Sequence, residues 1–182
     1  MPTTRKPRPF ETQALDLLAQ AKAFLQANKS FTPTVFLVYP KRFEIFELFF
    51  QTAQEKFSTV AEVLATAVRT SADAIIFITD AYYKHLPSKK AMDQFKEQYC
   101  QGDLASENAR EQLMMIVSPR GNSDWGLAVP YKRDHDKDVI VFSRARSSTR
   151  PPYTNNLLPE SWKGRANKRA AKRNGLSLSR NK

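Results

Sequence analysis

One cysteine, two histidines and five glycines among 182 residues leave little of the material from which small active sites are made. Cys100 alone cannot form an internal disulfide, and a single thiol fits a reducing, intracellular setting, so a cytoplasmic location is expected. The glycines form neither GxGxxG nor GxxxxGK[ST], which excludes the glycine-rich loops that cradle phosphates. A GxSxG nucleophile elbow is also missing. No stretch approaches the ~18 consecutive apolar residues of a membrane span. The opening MPTTRKPRPF is basic and lacks the apolar run of a secretory signal.

Metal chemistry is as thinly supplied. His85, His135 and Cys100 lie far apart, without the paired spacing of a zinc site. Asp134, Asp136 and Asp138 alternate like the opening of a calcium loop, but the glycine and the later glutamate of that loop are absent. They read as a charged hairpin tip. No metal and no cofactor are expected.

What the chain does have is charge in one place. It carries 29 Lys+Arg against 18 Asp+Glu, a formal net charge of +11. Residues 10–143 hold 15 basic and 17 acidic side chains, whereas residues 144–182 hold 11 basic groups and the single acid Glu160. Charge segregated in this way marks an interaction tail for a polyanion. The expected organisation is a basic N-terminal arm over 1–9, a globular body over 10–147 that folds by itself, and a basic linker and tail over 148–182.

Within "SWKGRANKRAAKRNG", Arg165, Lys168, Arg169, Lys172 and Arg173 recur at i, i+3, i+4, i+7 and i+8, one continuous face of a helix. Trp162 and three alanines lie off that face. Ser161 is placed to cap its start, and Asn174-Gly175 to end it. Like charges disfavour such a helix in water; phosphates would relieve the repulsion and release counterions. With Arg180 and Lys182, these residues are the expected nucleic-acid contacts, for DNA or RNA.

In the body, a helix is predicted over Phe10–Ala27, with Ala14, Leu15, Leu18, Ala21, Phe24 and Leu25 as its apolar stripe and Asn28 as a stop signal. "TPTVFLVYPKRFEIFELFF" reads as a hairpin, Thr34–Tyr39 and Phe43–Phe49 about Pro40-Lys41-Arg42; a helix over Arg42–Phe57 competes for the second half. As a strand, Phe43, Ile45 and the later phenylalanines cannot share one side. Either the core takes both faces, or some of them mark a partner surface. Thr59-Val60-Ala61-Glu62 matches a capping box, which starts a second helix to about Thr70 with Val60, Val63, Leu64, Ala67 and Val68 inward. "ADAIIFITDAYY" gives a buried central strand over Ala74–Ala81. A short helix over Met92–Tyr99 follows, then strands at Glu111–Ser118, Trp125–Arg133 and Lys137–Ser143, separated by turn-rich spacers. The order predicts an α+β fold, a largely antiparallel meander sheet with helices on one face, in two layers.

The succession "VFLVYPKRFEIFEL", capped helix and "ADAIIFITDAYY", closing on Asp80-Ala81-Tyr82, resembles an uncharacterised family of small bacterial and phage-type α+β proteins over residues 34–143. The resemblance implies a fold and no activity.

Asp80 ends this apolar strand beside Tyr82, Tyr83 and His85. A carboxylate there can serve as a general base with a raised pKa, or the strand can simply surface. Cys100 offers a nucleophile without a local partner. The reading is a non-enzymatic intracellular binding protein that holds nucleic acid or a ribonucleoprotein through its C-terminal arm, the body contacting a protein. The alternatives are a phage- or plasmid-type accessory protein acting through protein contacts, and an enzyme using Asp80 or Cys100.

Overall fold

The computed structural model describes residues 8–50, 53–83, 110–148 and 162. They form α1 (Glu11–Asn28), β1 (Thr34–Val38), β2 (Phe43–Glu47), α2 (Ala53–Arg69), β3 (Ala74–Tyr83), β4 (Arg110–Pro119), β5 (Trp125–Asp134), β6 (Val139–Phe142) and β7 (Arg146–Ser148). The fold is α+β. Seven strands make one open antiparallel sheet in the order β2-β1-β3-β4-β5-β6, with β7 also on β5. From β3 onward it is a meander. β2 and β3 both run antiparallel to β1, between them, so α2 is the crossover of a split β-α-β unit.

The helices are not on one face. Ala74, Ile76 and Ile78 of β3 pack with Ala14, Leu18, Ala21 and Leu25 of α1. Ile75, the alternate residue, packs with Val63, Leu64 and Ala67 of α2. Successive strand residues point to opposite faces, so the sheet is sandwiched in three layers. The correction was foreshadowed in "AIIFI": an unbroken apolar run asks for cover on both sides, whereas a two-layer fold would show alternation.

Both predicted helices shift. Leu15 and Phe24 leave the apolar stripe and are exposed, because the buried row Ala14, Leu18, Ala21, Leu25 alone fills the contact with the sheet. α1 starts at Phe10 in the left-handed conformation, φ 59°, without a side-chain cap there. Glu11 instead fixes the turn that enters the helix, its carboxylate accepting from the Arg8 amide at 2.8 Å. At the other end Lys29 closes the helix, again left-handed, with its N–H on the Leu25 carbonyl. α2 begins at Ala53, six residues before the Thr59 capping box, which lies inside the helix. Ala, Gln, Glu and Lys over 53–56 are good helix formers and carry it back to that point. The segment disputed between strand and helix thus divides: Phe43–Glu47 is strand, and the helix takes over at Ala53.

One strand escaped the sequence altogether. β6 and β7 share one edge of β5, Phe142 opposite Tyr131 and Arg146 opposite Ala128. Three residues, Ser143 to Ala145, therefore face two, Val129 and Pro130, which is a β-bulge. Pro130 has no N–H to give this edge, so the bulge falls where β5 cannot donate. The Ser143 amide still donates to the Pro130 carbonyl at 2.7 Å. On the opposite edge Gly126 lets β5 close on β4: a Cβ there would stand 2.7 Å from the Met115 carbonyl oxygen.

The body also draws on the segment assigned to the tail. Trp162, 2% exposed, belongs to the α2-side core. At the other terminus Arg8 stacks 4.4 Å from the Trp125 ring centroid, and the Trp125 indole donates to the Pro9 carbonyl at 3.1 Å. The last residues of the predicted arm are therefore packed. The expected helix over 92–99 lies outside the described residues. No helix among the described residues is long and apolar enough to cross a membrane.

Candidate functional site

Even positions of β3 and odd positions of β4 and β5 share a face, which brings Asp80, Glu111, Tyr131 and Arg133 together on the α1 side, at the end of the sheet where β3 finishes. The Tyr131 hydroxyl donates to Asp80 Oδ1 at 2.7 Å. Arg133 donates through Nε to Glu111 Oε1 at 2.8 Å and through Nη2 to the Tyr131 oxygen at 3.2 Å. Its Nη1 donates to the Lys29 carbonyl, the C-cap of α1. Nη2 also stands 3.9 Å from Asp80 Oδ2.

Burial pushes the Asp80 carboxyl above its ordinary value, and the Glu111 charge adds to this; the Tyr131 hydrogen bond and Arg133 oppose the shift without cancelling it. Burial and the bond to Asp80 push the Tyr131 phenol up as well, so it stays a donor across the neutral range. Burial works against the charge of Arg133, yet the Glu111 hydrogen bond holds its pKa above the ordinary value. Asp80 therefore does not simply surface: its side chain is 23% exposed and shared among partners. The arrangement can hold a proton at Asp80. Its evident work is to tie the C-terminal carbonyl of α1 to the sheet, as cations near a helix C-terminus do.

The opposite end of the sheet carries a second arginine with a comparable duty. Arg120 donates through Nε to the Ala72 carbonyl at 2.9 Å and through Nη2 to the Ala67 carbonyl at 3.4 Å, closing the end of α2. Its guanidinium lies 4.8 Å from the centroid of the Trp162 ring. The Trp162 indole donates to the Ser118 carbonyl at 3.3 Å, and the Gly121 amide donates to the Trp162 carbonyl at 2.9 Å. Backbone and side chain of Trp162 are thus both held, and the basic run of the sequence starts at the next residue, Lys163.

A third feature lies on the α1 face beside the helix. An open groove of about 210 Å³ separates α1 from β1 and β2. Leu17, Ala21 and Phe24 form its helical wall; Phe36 and Ile45 form its floor, with Glu47 at the rim. Ile45 is 62% exposed and Phe24 52%. Of the two explanations for "FEIFELFF", a core on both faces and an exposed apolar surface, both hold for different residues. Phe46 and Leu48 pack on the α2 side, whereas Phe43, Ile45 and Phe49 are exposed.

The residues expected to bind nucleic acid, Arg165, Lys168, Arg169, Lys172, Arg173, Arg180 and Lys182, lie outside the described residues, as do His85 and Cys100. His135 is exposed in the β5–β6 turn. There Asp134 pairs with Lys137 at 3.4 Å and Asp138 with Lys29 at 3.2 Å. Among the described residues no group of three His, Cys, Asp or Glu is placed to hold a metal ion. Glu111, Tyr131 and Arg133 were missed as a unit. The spacing of two along β5 was visible, but the cross-strand register that joins these residues to Asp80 was not.

Comparisons with family models, with curated proteins and with solved structures each find no match for the chain.

Proposed function

We propose that the protein is a non-enzymatic, intracellular nucleic-acid-binding protein whose basic C-terminal segment holds phosphates while the folded body contacts a protein partner. The observation that carries this reading is the joining of a near-neutral body to a segment of 11 basic groups and one acid. Trp162 adds a structural reason. A solubilising tail needs no fixed root, whereas an arm that must present phosphates to a body gains from one. The sheet end at which Trp162 is held also carries Lys41, Arg42, Arg69 and Arg120, further cations within reach of a strand held by the arm. With no base-reading module in the sequence, binding through phosphate is expected to be indifferent to base order.

Replacing Arg165, Lys168, Arg169, Lys172 and Arg173 by Gln tests the proposal. On duplex DNA the slope of log K against log salt should flatten by about 4, from ~0.9 for each phosphate that is no longer neutralised, and equally for unrelated sequences. If the quintuple variant keeps the parent's affinity and slope, the arm is not the binding element. The accessory-protein reading, acting by protein contact alone, then takes its place; the groove beside α1 is the observation in its favour.

A further inference from the structure

We infer that the groove between α1 and the β1–β2 hairpin is a docking site for an amphipathic helix of a partner protein that carries an apolar stripe flanked by Lys or Arg. The inference rests on the protein-contact half of the proposed function and supplies its surface and partner chemistry.

The first argument is width. Six strands at ~4.8 Å spacing make a sheet ~24 Å across, and one helix covers ~10 Å of it. On this face α1 packs over β3, β4 and β6. Phe36 of β1 packs in part against the α1-side core, but among the described residues no helix covers Phe43 and Ile45 of β2, which are exposed. On the opposite face the hairpin's alternate residues Val35, Leu37 and Leu48 are buried with α2. The hairpin is thus apolar on both sides and, among the described residues, fully helix-covered on one.

Shape comes next. The wall of the groove is the row Leu17, Ala21, Phe24, with spacings of four and three, so it is a ridge of α1 turned sideways. Such a ridge, with Ile45 opposite it, accepts a second helix packed alongside the first. Helix-in-groove recognition reads anchors at i, i+3, i+4 and i+7.

Charge then selects the occupant. Among the described residues that line the groove Glu47 is the one ionised side chain, and it is exposed. A basic flank on the incoming helix would meet it. A second copy of this chain offers β2 itself, whose Glu44 is already paired with Arg42 at 2.9 Å; pairing two such edges brings the two Glu47 carboxylates to one face of the seam without a cation between them. A heterologous basic helix is favoured over self-association.

The test uses the full chain and two fluorescein-labelled peptides of about 18 residues. They share a Leu stripe at i, i+3, i+4 and i+7 and differ in having Lys or Glu along its flanks. Anisotropy titrations near 0.15 M salt should show the Lys peptide binding the parent, with Glu47→Lys weakening it about tenfold and gaining affinity for the Glu peptide. The basic segment is common to both proteins, so its own attraction for the Glu peptide cancels in that comparison. Ile45→Ser and, on the helix side, Phe24→Ser should each weaken the Lys peptide about tenfold; both sites are exposed, and circular dichroism checks the fold. The inference is overturned if these three substitutions leave the Lys peptide within twofold of the parent. It is also overturned if sedimentation shows a dimer that Ile45→Ser dissolves, or if the quintuple Gln variant of the arm binds the peptide tenfold better, since the groove would then be filled by a second copy or by the chain's own basic segment. Oligonucleotide affinity is measured separately, so either half of the proposed function can fail alone.

Discussion

The two ends of the sheet solve the same problem with different chemistry. At each end an arginine on or next to the sheet reaches backbone carbonyls where a helix ends: Arg133 that of Lys29, the C-cap of α1, and Arg120 those of Ala67 in the last turns of α2 and Ala72 just beyond it. Each guanidinium also lies over a ring, Tyr131 in one case and Trp162 in the other. They differ in what surrounds the cation. Arg133 sits against Glu111 and near Asp80, so its end is a charge network whose strength depends on ionisation. The partners of Arg120 are carbonyls and an indole buried in the α2-side core, so its end depends on apolar burial. The first network is assembled from strands of the meander together with the end of α1. The second is completed by a side chain 44 residues beyond the Ser118 carbonyl that it bonds.

That contrast predicts unequal damage. Trp162→Ala should be the most destabilising change at either end, by about 3–5 kcal/mol, because it removes a buried indole, its hydrogen bond and the ring beneath Arg120. Urea unfolding followed by circular dichroism measures it. A change below about 1 kcal/mol would show that Trp162 is not part of the core. By the same reasoning a chain of residues 10–147 should be weakened rather than neutral, since it lacks this indole.

The sequence offered Trp162 only as the alternative to a body that folds without its ends, and the reason is physical. Trp162 sits in a strongly basic segment, where an isolated aromatic contributes nothing to periodicity, and its partners are backbone carbonyls that any sequence possesses. The hairpin, the second helix and the meander were legible because β-branched runs between turn residues identify strands directly and a 3.6-residue apolar period identifies a helix. The side on which each helix lies was not, because periodicity fixes the stripe of a helix but not the sheet face that it meets. The Asp80 cluster was half legible. An acid closing an apolar strand stood out, yet its partners follow only from the register that sets Asp80 beside Leu113 and Gln112 beside Pro130. For β7, Arg-Ser-Ser has no strand signature, and its pairing is set by the bulge at Pro130.

The arginines themselves give a more discriminating test. Arg133→Met should cost about 2 kcal/mol at pH 7, because it leaves two carboxylates facing each other and the α1 carbonyl unpaired. The cost should shrink toward pH 4, where the Asp80 carboxyl, its pKa raised by burial, takes up a proton and the repulsion fades. Arg120→Met should cost about 1 kcal/mol, from hydrogen bonds to carbonyls, and do so nearly independently of pH over the same range. Denaturation midpoints of the two variants at the two pH values settle it. Equal pH dependence would erase the distinction between the ends.

The smallest effect isolates one proton. Burial and the Glu111 charge raise the Asp80 pKa in the folded protein above its unfolded value. Between those two values the folded state binds the proton that the unfolded state has released, so stability falls as pH rises through that window. The contribution of Asp80 is therefore fully present below about pH 4 and is lost as pH rises through the raised folded value. This is opposite in sign to the usual ion-paired carboxylate, whose contribution is lost in acid. Asp80→Asn keeps an oxygen that can accept from the Tyr131 hydroxyl but cannot ionise. Relative to the parent, the variant should gain stability steadily from pH 3.5 toward neutrality, by a fraction of the ~1.4 kcal/mol that a tenfold change in proton affinity is worth. The gain is partial because the side chain remains 23% exposed and solvent screens the interaction. A stability difference that stays flat from pH 3.5 to 7, or that runs the other way, would mean that Arg133 dominates Asp80, and the two ends of the sheet would then be electrostatically alike.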